Sequence, residues 1–189
     1  MAIADPAGAA RGTPVLATAR LRLRPRGVED AEALFPSLSD ADLMTWWSHA
    51  PHVHVTQTRA GFARSDPDWR CWAITLAEDD RAIGYVAVGE KRQRNVSEIG
   101  YLLARPHWGR GIAEEAIGAV IDHLFRAEGQ RRVFADTDPD NVYSRRLLGR
   151  LGFRLEGVLR AEWETHIGIR DTALYGLLKE DWTCRPRPA

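Results

Sequence analysis

Arg105-Pro106-His107-Trp108-Gly109-Arg110-Gly111-Ile112-Ala113 is the stretch on which the reading of this chain turns. Before it, Glu98 to Leu103 is extended and apolar and runs into the proline. After it, Ala113, Ala116, Ile117, Val120, Ile121 and Leu124 recur at spacings of three and one, which is one face of an α-helix. Glu114 and Glu115 stand in the first turn, where the helix dipole favours negative charge. Gly109 and Gly111 let the backbone turn tightly without a side chain covering its N–H groups. A strand, a glycine loop and a bare helix N-terminus together make an anion site, most often for phosphate. Two glycines taken alone also fit an ordinary strand-to-helix connection.

Outward from this stretch, 189 residues suit one domain or a tightly packed pair. The 26 basic and 26 acidic residues cancel, which argues against a general nucleic-acid binder because that would need a basic excess. No apolar run approaches the ~20 residues that span a bilayer. The Ala/Gly/Pro-rich start lacks the basic-then-apolar order of a signal peptide. Cys71 and Cys184 are far apart and have no partner at ligand spacing, so metal is not expected and a reducing cytoplasm is. His49, His52 and His54 cluster without an accompanying carboxylate or thiol, which suits a loop or plain surface better than a metal site.

Along the chain, residues 1 to about 17 read as a loose tail. Arg20 to Arg26 alternates apolar with basic, a strand stopped at Pro25. Val28 to Phe35 reads as a short helix, and Ser39 as the cap of a second that runs through Trp46 and Trp47. Thr56 is the expected cap of a third, ending near Asp66-Pro67. Trp69–Ala77 and Arg81–Glu90 form a hairpin around Glu78-Asp79-Asp80. Gly84 within it signals a bulge or a close backbone approach. Val96–Leu103 is the strand that enters the glycine loop, and Gly129 stops the long helix. Arg131–Asp136 is a short strand. Asn141–Leu151 is a helix with Ser144, Leu147, Leu148 and Leu151 on one stripe, ended by Gly152. Phe153–Trp163 and Ile169–Leu178 close the fold as a hairpin. Hairpins followed by a strand–helix–strand passage predict a mixed α+β sheet, mostly antiparallel, with one parallel pair made by a right-handed crossover. A ligand in such a sheet sits at strand ends, beside the helix start.

The succession Trp108-Gly109-Arg110-Gly111-Ile112-Ala113, helix, strand, Asn141-x-x-Ser144, Leu151-Gly152-Phe153 resembles the GNAT superfamily of acyl-CoA N-acyltransferases. Arg20-Leu21-Arg22-Leu23-Arg24-Pro25, Glu98-Ile99-Gly100-Tyr101, Gly157-Val158-Leu159-Arg160, Arg170-Asp171 and Tyr175-x-Leu177-Leu178 resemble its ribosomal-protein-alanine N-acetyltransferase (RimJ/RimL) branch. The likeness covers about residues 18 to 182, leaving 1–17 and 183–189 as tails. It implies a single domain whose sheet splays open after Leu103, with acetyl-CoA in the gap and no metal. Leu103, Trp108, Gly109, Arg110, Gly111, Ile112, Ala113, Asn141 and Ser144 are the implied cofactor residues. Trp108 stands where the family has Gln or Arg, a departure that this branch shares. A homodimer is compatible with the resemblance.

Acyl transfer requires a neutral amine. An α-amine of pKa 7.7–8.0 is neutral on the order of a tenth of the time at pH 7, a lysine well under ~0.1%. An α-amine or another low-pKa amine is therefore the expected acceptor. Glu98, on the strand entering the gap, is the candidate base acting through water, or else a plain surface residue. Ser144 is the candidate thiolate partner, or else a small residue for close packing. The family's frequent Tyr four residues later is replaced by Leu148. Arg145 and Arg146 either meet nucleotide phosphates or form a solvated face, and Asn141 caps its helix as well as matching the family position. Trp46, Trp47, Trp69 and Trp72 are dense enough to line an acceptor pocket, of which Trp46, Trp47 and Trp72 are the named candidates; each is equally explained as core. The expected activity is acetyl-CoA-dependent N-acetylation of a protein N-terminus or a small amine by direct attack. The alternatives are an antibiotic or amino-acid conjugate as acceptor, and a non-catalytic acyl-CoA-binding module.

Overall fold

The computed structural model describes residues 12–183, apart from residues 65 and 92. Eight strands form one sheet in the order β1-β2-β3-β4-β5-β6-β8-β7, every neighbouring pair antiparallel except β5 and β6. The strands are β1 (Leu16–Ala17), β2 (Leu21–Pro25), β3 (Trp69–Leu76), β4 (Asp79–Glu90), β5 (Val96–Leu103), β6 (Arg132–Thr137), β7 (Arg154–Thr165) and β8 (Gly168–Leu178). The helices are α1 (Ala31–Leu38), α2 (Ala41–Met44), α3 (Val55–Ala63), α4 (Ile112–Arg126), α5 (Val142–Arg150) and α6 (Lys179–Thr183). The mixed, mostly antiparallel sheet with one parallel pair is therefore as the sequence predicts.

The sheet is covered on both faces. Ala116, Ile117, Val120, Ile121 and Leu124 of α4 bury against Leu21, Leu23, Ile74, Val86 and Ile99. Each fully buried Leu or Ile contributes about 1.5–3 kcal/mol. On the other face Leu34, Leu38, Leu43 and Met44 pack on Ala73, Tyr85 and Leu102. Residues 72–75 of β3 are consequently buried without alternation, because each face has its own cover. Gly84 meets both sequence expectations. It pairs with Ile74 beside a register shift, and a Cβ there would lie 2.3 Å from the Leu102 carbonyl oxygen.

Four expectations are corrected. Leu16–Ala17 pairs with Leu23 and Arg22, so the sheet begins inside the stretch read as tail. The buried Trp72 indole donates to the Pro14 carbonyl at 2.7 Å and ties this segment down. Asp40, not Ser39, caps α2, its Oδ1 accepting from the amides of Asp42 and Leu43; the helix ends at Met44, leaving Trp46 and Trp47 beyond it. His54 rather than Thr56 is the N-cap of α3, where Gln57 accepts from the amides of Val53 and His54, and α3 stops at Ala63. The sheet also parts earlier than Leu103: the β5–β6 ladder runs only from Val96↔Arg132 to Glu98↔Phe134. Residues 99–103 remain joined to β4 while Ala135–Thr137 remain joined to β8, so the two halves diverge after Glu98. Cys184 lies outside the described residues.

Candidate functional site

The loop before α4 takes the left-handed turns its glycines permit: φ is +70° at Gly109 and +74° at Gly111. The backbone bond from Glu115 to the Gly111 carbonyl at 3.0 Å is the first of α4. The amides of Gly109, Arg110 and Gly111 make no backbone bond among the described residues, and those opening α4 lie ahead of its first bond. The loop is fixed from behind by Arg20, which the sequence reading did not single out. Its Nη1 donates to the Arg110 carbonyl at 3.0 Å and its Nε to Glu115 at 2.6 Å. Burial alone would raise the Glu115 carboxyl, but bonds from Thr18 and Arg20 outweigh it and hold the group below its ordinary value. Arg20 thus turns one carbonyl outward and leaves the neighbouring amides to the gap.

A cleft of ≈ 540 Å³ opens beside this loop. Leu103, Trp108, Gly109, Gly111, Ile112, Ala113, Asn141 and Ser144 all line it, whereas the Arg110 side chain does not. Trp108 is part of the wall: its indole donates to the Leu103 carbonyl at 2.7 Å and its ring meets Tyr143 at 5.7 Å. Arg146 reaches this cleft, while Arg145 is used structurally, bonded to the Tyr175 hydroxyl and the Pro139 carbonyl. The cleft fits a nucleotide thioester in its donor chemistry. It has free amides at a helix N-terminus for a diphosphate, an arginine nearby, and a strand edge without its neighbour for an amide-bearing chain.

A second cleft of ≈ 780 Å³ is lined by both parted strands, with Glu98 to Tyr101 from β5 and Asp136 and Thr137 from β6. The two clefts share Trp46, Trp47, Tyr101, Asn141 and Ser144. At that junction the Ser144 and Tyr101 hydroxyls lie 2.7 Å apart. Asn141 caps α5, its Oδ1 accepting from the Ser144 amide at 3.1 Å, which fixes where Ser144 stands. Burial pushes the Tyr101 hydroxyl up to about 12, the bond with Ser144 offsetting only part of it. Tyr101 therefore stays protonated at neutral pH. Tyr101 was missed as a site residue. The signal was present, because alternation along β5 puts it on the face of Ile99, toward α4 and α5.

Glu98 lines the second cleft at the point where the strands part, with Lys91 paired to its Oε2. Trp46 and Trp47 line both clefts and Trp69 the second. Trp72 does not belong to an acceptor pocket; it is fully buried against the first core cluster because its indole faces α4. His52 is bonded to Thr58 at 2.8 Å and stacked on His49, and no three potential metal ligands gather among the described residues.

Residues 20–154 match the acetyltransferase (GNAT) domain family. The chain belongs to that family and is an N-acetyltransferase. It is 32% identical to the uncharacterized N-acetyltransferase p20 of Bacillus licheniformis over 173 residues, 88% of this chain and 97% of that one. It is 33% identical to the uncharacterized N-acetyltransferase YoaA of Bacillus subtilis, over the same shares of the two chains. A shorter likeness, 32% over 91 residues, 45% of this chain and 44% of the other, is to the [ribosomal protein uS5]-alanine N-acetyltransferase of Escherichia coli. The fold is shared with the spermidine N-acetyltransferase of Vibrio cholerae, solved in complex with CoA and spermine, at TM-score 0.76 and 20% identity over 88% of this chain and 99% of that one. No helix among the described residues is long and apolar enough to cross a membrane.

Proposed function

We propose that this acetyltransferase moves an acetyl group from acetyl-CoA to a primary amine by direct attack in a ternary complex, and that it belongs to the RimJ/RimL-like branch. The observation that carries the reading is the meeting of two clefts at Ser144 and Tyr101, at the place where the sheet has parted. Acetyl-CoA supplies an activated acyl thioester. The amides from Gly109 to Ala113 bind its diphosphate, with Arg146 near the phosphates and Leu103 and Asn141 along its length. The coenzyme-bound relative and the branch motifs around Arg20, Glu98 and Arg170 support the same reading.

Glu98 removes the proton of the incoming ammonium through a water, and Lys91 keeps its carboxylate at the mouth of the gap. The amine nitrogen then bonds to the acetyl carbon as the carbon–sulfur bond breaks, and the second proton that the nitrogen sheds in becoming an amide passes to the departing sulfur. Tyr101, protonated, donates to the Ser144 oxygen. That leaves the Ser144 hydroxyl hydrogen for the departing sulfur, a charge-assisted bond. Trp46 and Trp47 wall the acceptor side. The catalytic unit runs from β1 to α6 and works in the reducing cytoplasm.

Thiol release from acetyl-CoA, measured over a panel of N-terminal peptides and small amines, tests the proposal. Amine-dependent release that falls in Ser144→Ala supports it. Tight CoA binding with no release for any amine would refute it.

A further inference from the structure

We propose that the acceptor carries a carboxylate as well as its amine, and that Arg26 is the residue that receives it; this rests on the acetyl-transfer reading of the same site. Arg26 follows β2, and its amide donates to the Cys71 carbonyl at 2.9 Å, which sets it at the edge of the second cleft. Its guanidinium lies 3.9 Å from the centre of the Phe62 ring and 5.4 Å from that of Tyr85. Nε is buried and has no hydrogen-bond partner among the described residues. Among the described residues the Arg26 guanidinium meets no carboxylate and no carbonyl.

Three other arginines near this cleft hold carboxylates, while a fourth, Arg64, lines it exposed to solvent. Arg24, two residues earlier, holds Asp30 and Asp80. Arg70 is paired with Glu128 and Glu90, and Arg170 with Asp138 and Asp140. A half-buried cation without a counter-charge is costly, and two aromatic faces offset only part of that. The arrangement is economical if the counter-charge arrives with the ligand. A guanidinium sandwiched by rings is also pre-organised for the two parallel bonds that a carboxylate accepts. Carboxylates lie elsewhere on the same cleft. Asp136 stands on β6 beyond the parting, where among the described residues its carboxylate accepts from the Trp163 indole at 3.1 Å, and Glu98 is on the neighbouring strand. A cleft with a cation at one place and carboxylates at another suits an acceptor of amino-acid type, with its ammonium on the carboxylates and its own carboxylate on Arg26.

The test is a matched panel. Free α-amino acids are assayed beside their carboxamides, and dipeptides with N-terminal Asp or Glu beside those with Asn or Gln, using wild type, Arg26→Met and Arg26→Lys. In wild type the carboxylate member of at least one pair should have a kcat/KM about tenfold higher or more, equivalent to about 1.4 kcal/mol. Arg26→Met should bring that ratio below about threefold, mostly through KM. Arg26→Lys, which keeps a charged stem on Phe62 without the paired geometry, should fall between. Preference within the amino-acid pairs would identify a free α-carboxylate, and preference within the dipeptide pairs an acidic side chain. Equal rates within every wild-type pair would overturn the proposal and leave acetyl transfer standing. A ratio unchanged in both variants, or a Met variant that does not fold beside a Lys variant of wild-type preference, would also overturn it by making Arg26 a packing residue. Failure of every amine to release thiol would remove the acetyl-transfer reading and this one together.

Discussion

Removing the Ser144 hydroxyl separates turnover from cofactor affinity, because that oxygen stands at the junction of the clefts and not at the glycine loop. If it bonds the departing sulfur, the loss is that of one bond to a charged group, about 1.5–3 kcal/mol. At 1.36 kcal/mol per decade, kcat of Ser144→Ala should fall about 10- to 150-fold. The dissociation constant for CoA, measured by calorimetry, should change less than about threefold, since the amides of Gly109 to Ala113 are untouched. Tyr101→Phe removes only the polarising bond, 2.7 Å long, and should cost about 0.5–1.5 kcal/mol, up to roughly tenfold in kcat. In the proposed relay Tyr101 acts through Ser144, so the double variant should be no slower than Ser144→Ala by more than about twofold. Single-turnover thiol release with the best amine of the panel reads all three. Full turnover in Ser144→Ala would remove the serine from the chemistry. Effects that multiply in the double variant would refute the relay and give Tyr101 a contact of its own.

Other consequences follow from the same geometry. Gly111→Val places a branched side chain at φ +74°, strained by about 1–2 kcal/mol, and should raise the CoA dissociation constant at least tenfold in a calorimetric titration. Asp30 is buried and bonded twice to Arg24 as well as to the Gly27 amide, so Asp30→Ala should destabilise by about 3–5 kcal/mol, roughly 10 °C in a thermal melt. Burial raises Cys71 and Tyr101 to about 12 each, above ordinary values of 9.0 and 10.0. The unfolded chain loses these protons first, so their stability contribution is complete below about pH 9 and declines as pH rises toward 12. Denaturant melts should show that decline, and Cys71→Ala should flatten its first part.

The fold was legible because its largest pieces are periodic. The α4 stripe, the β2 alternation and the β5 run each state their own face, and the crossover from β5 to β6 leaves one right-handed arrangement. What was not legible depended on distant partners. Nothing near Leu16 announces a strand, since that strand exists because Leu23 and Trp72 are already in place. The cap at Asp40 differs by one residue from the expected Ser39 because Ser and Asp compete as caps over short distances, and that at His54 differs by two from Thr56 because His is not a typical cap residue and makes no side-chain cap bond there.

For the site, local motifs located main-chain chemistry and missed side chains that meet across the fold. Gly109 and Gly111 signal their amides from sequence because glycine is the residue that supplies left-handed backbone without strain. Arg20 is indistinguishable from Arg22 in the strand pattern, yet one clamps the loop carbonyl of Arg110 and the other pairs with exposed Asp80. Tyr101 and Ser144 stand 43 positions apart and become one unit only when α5 crosses the end of β5. Trp72 and Trp47 are equivalent in composition and opposite in role, and what separates them is the face of the sheet. Trp72 points to α4, whereas Trp47 lies past α2 where two clefts join. The proposed cofactor half of the site is thus written in backbone conformation, which sequence states locally. The proposed acceptor half is written in which face each side chain takes, which only the packed sheet decides. For that reason matched acceptors, rather than further coenzyme binding, are the measurement that discriminates among readings of this enzyme.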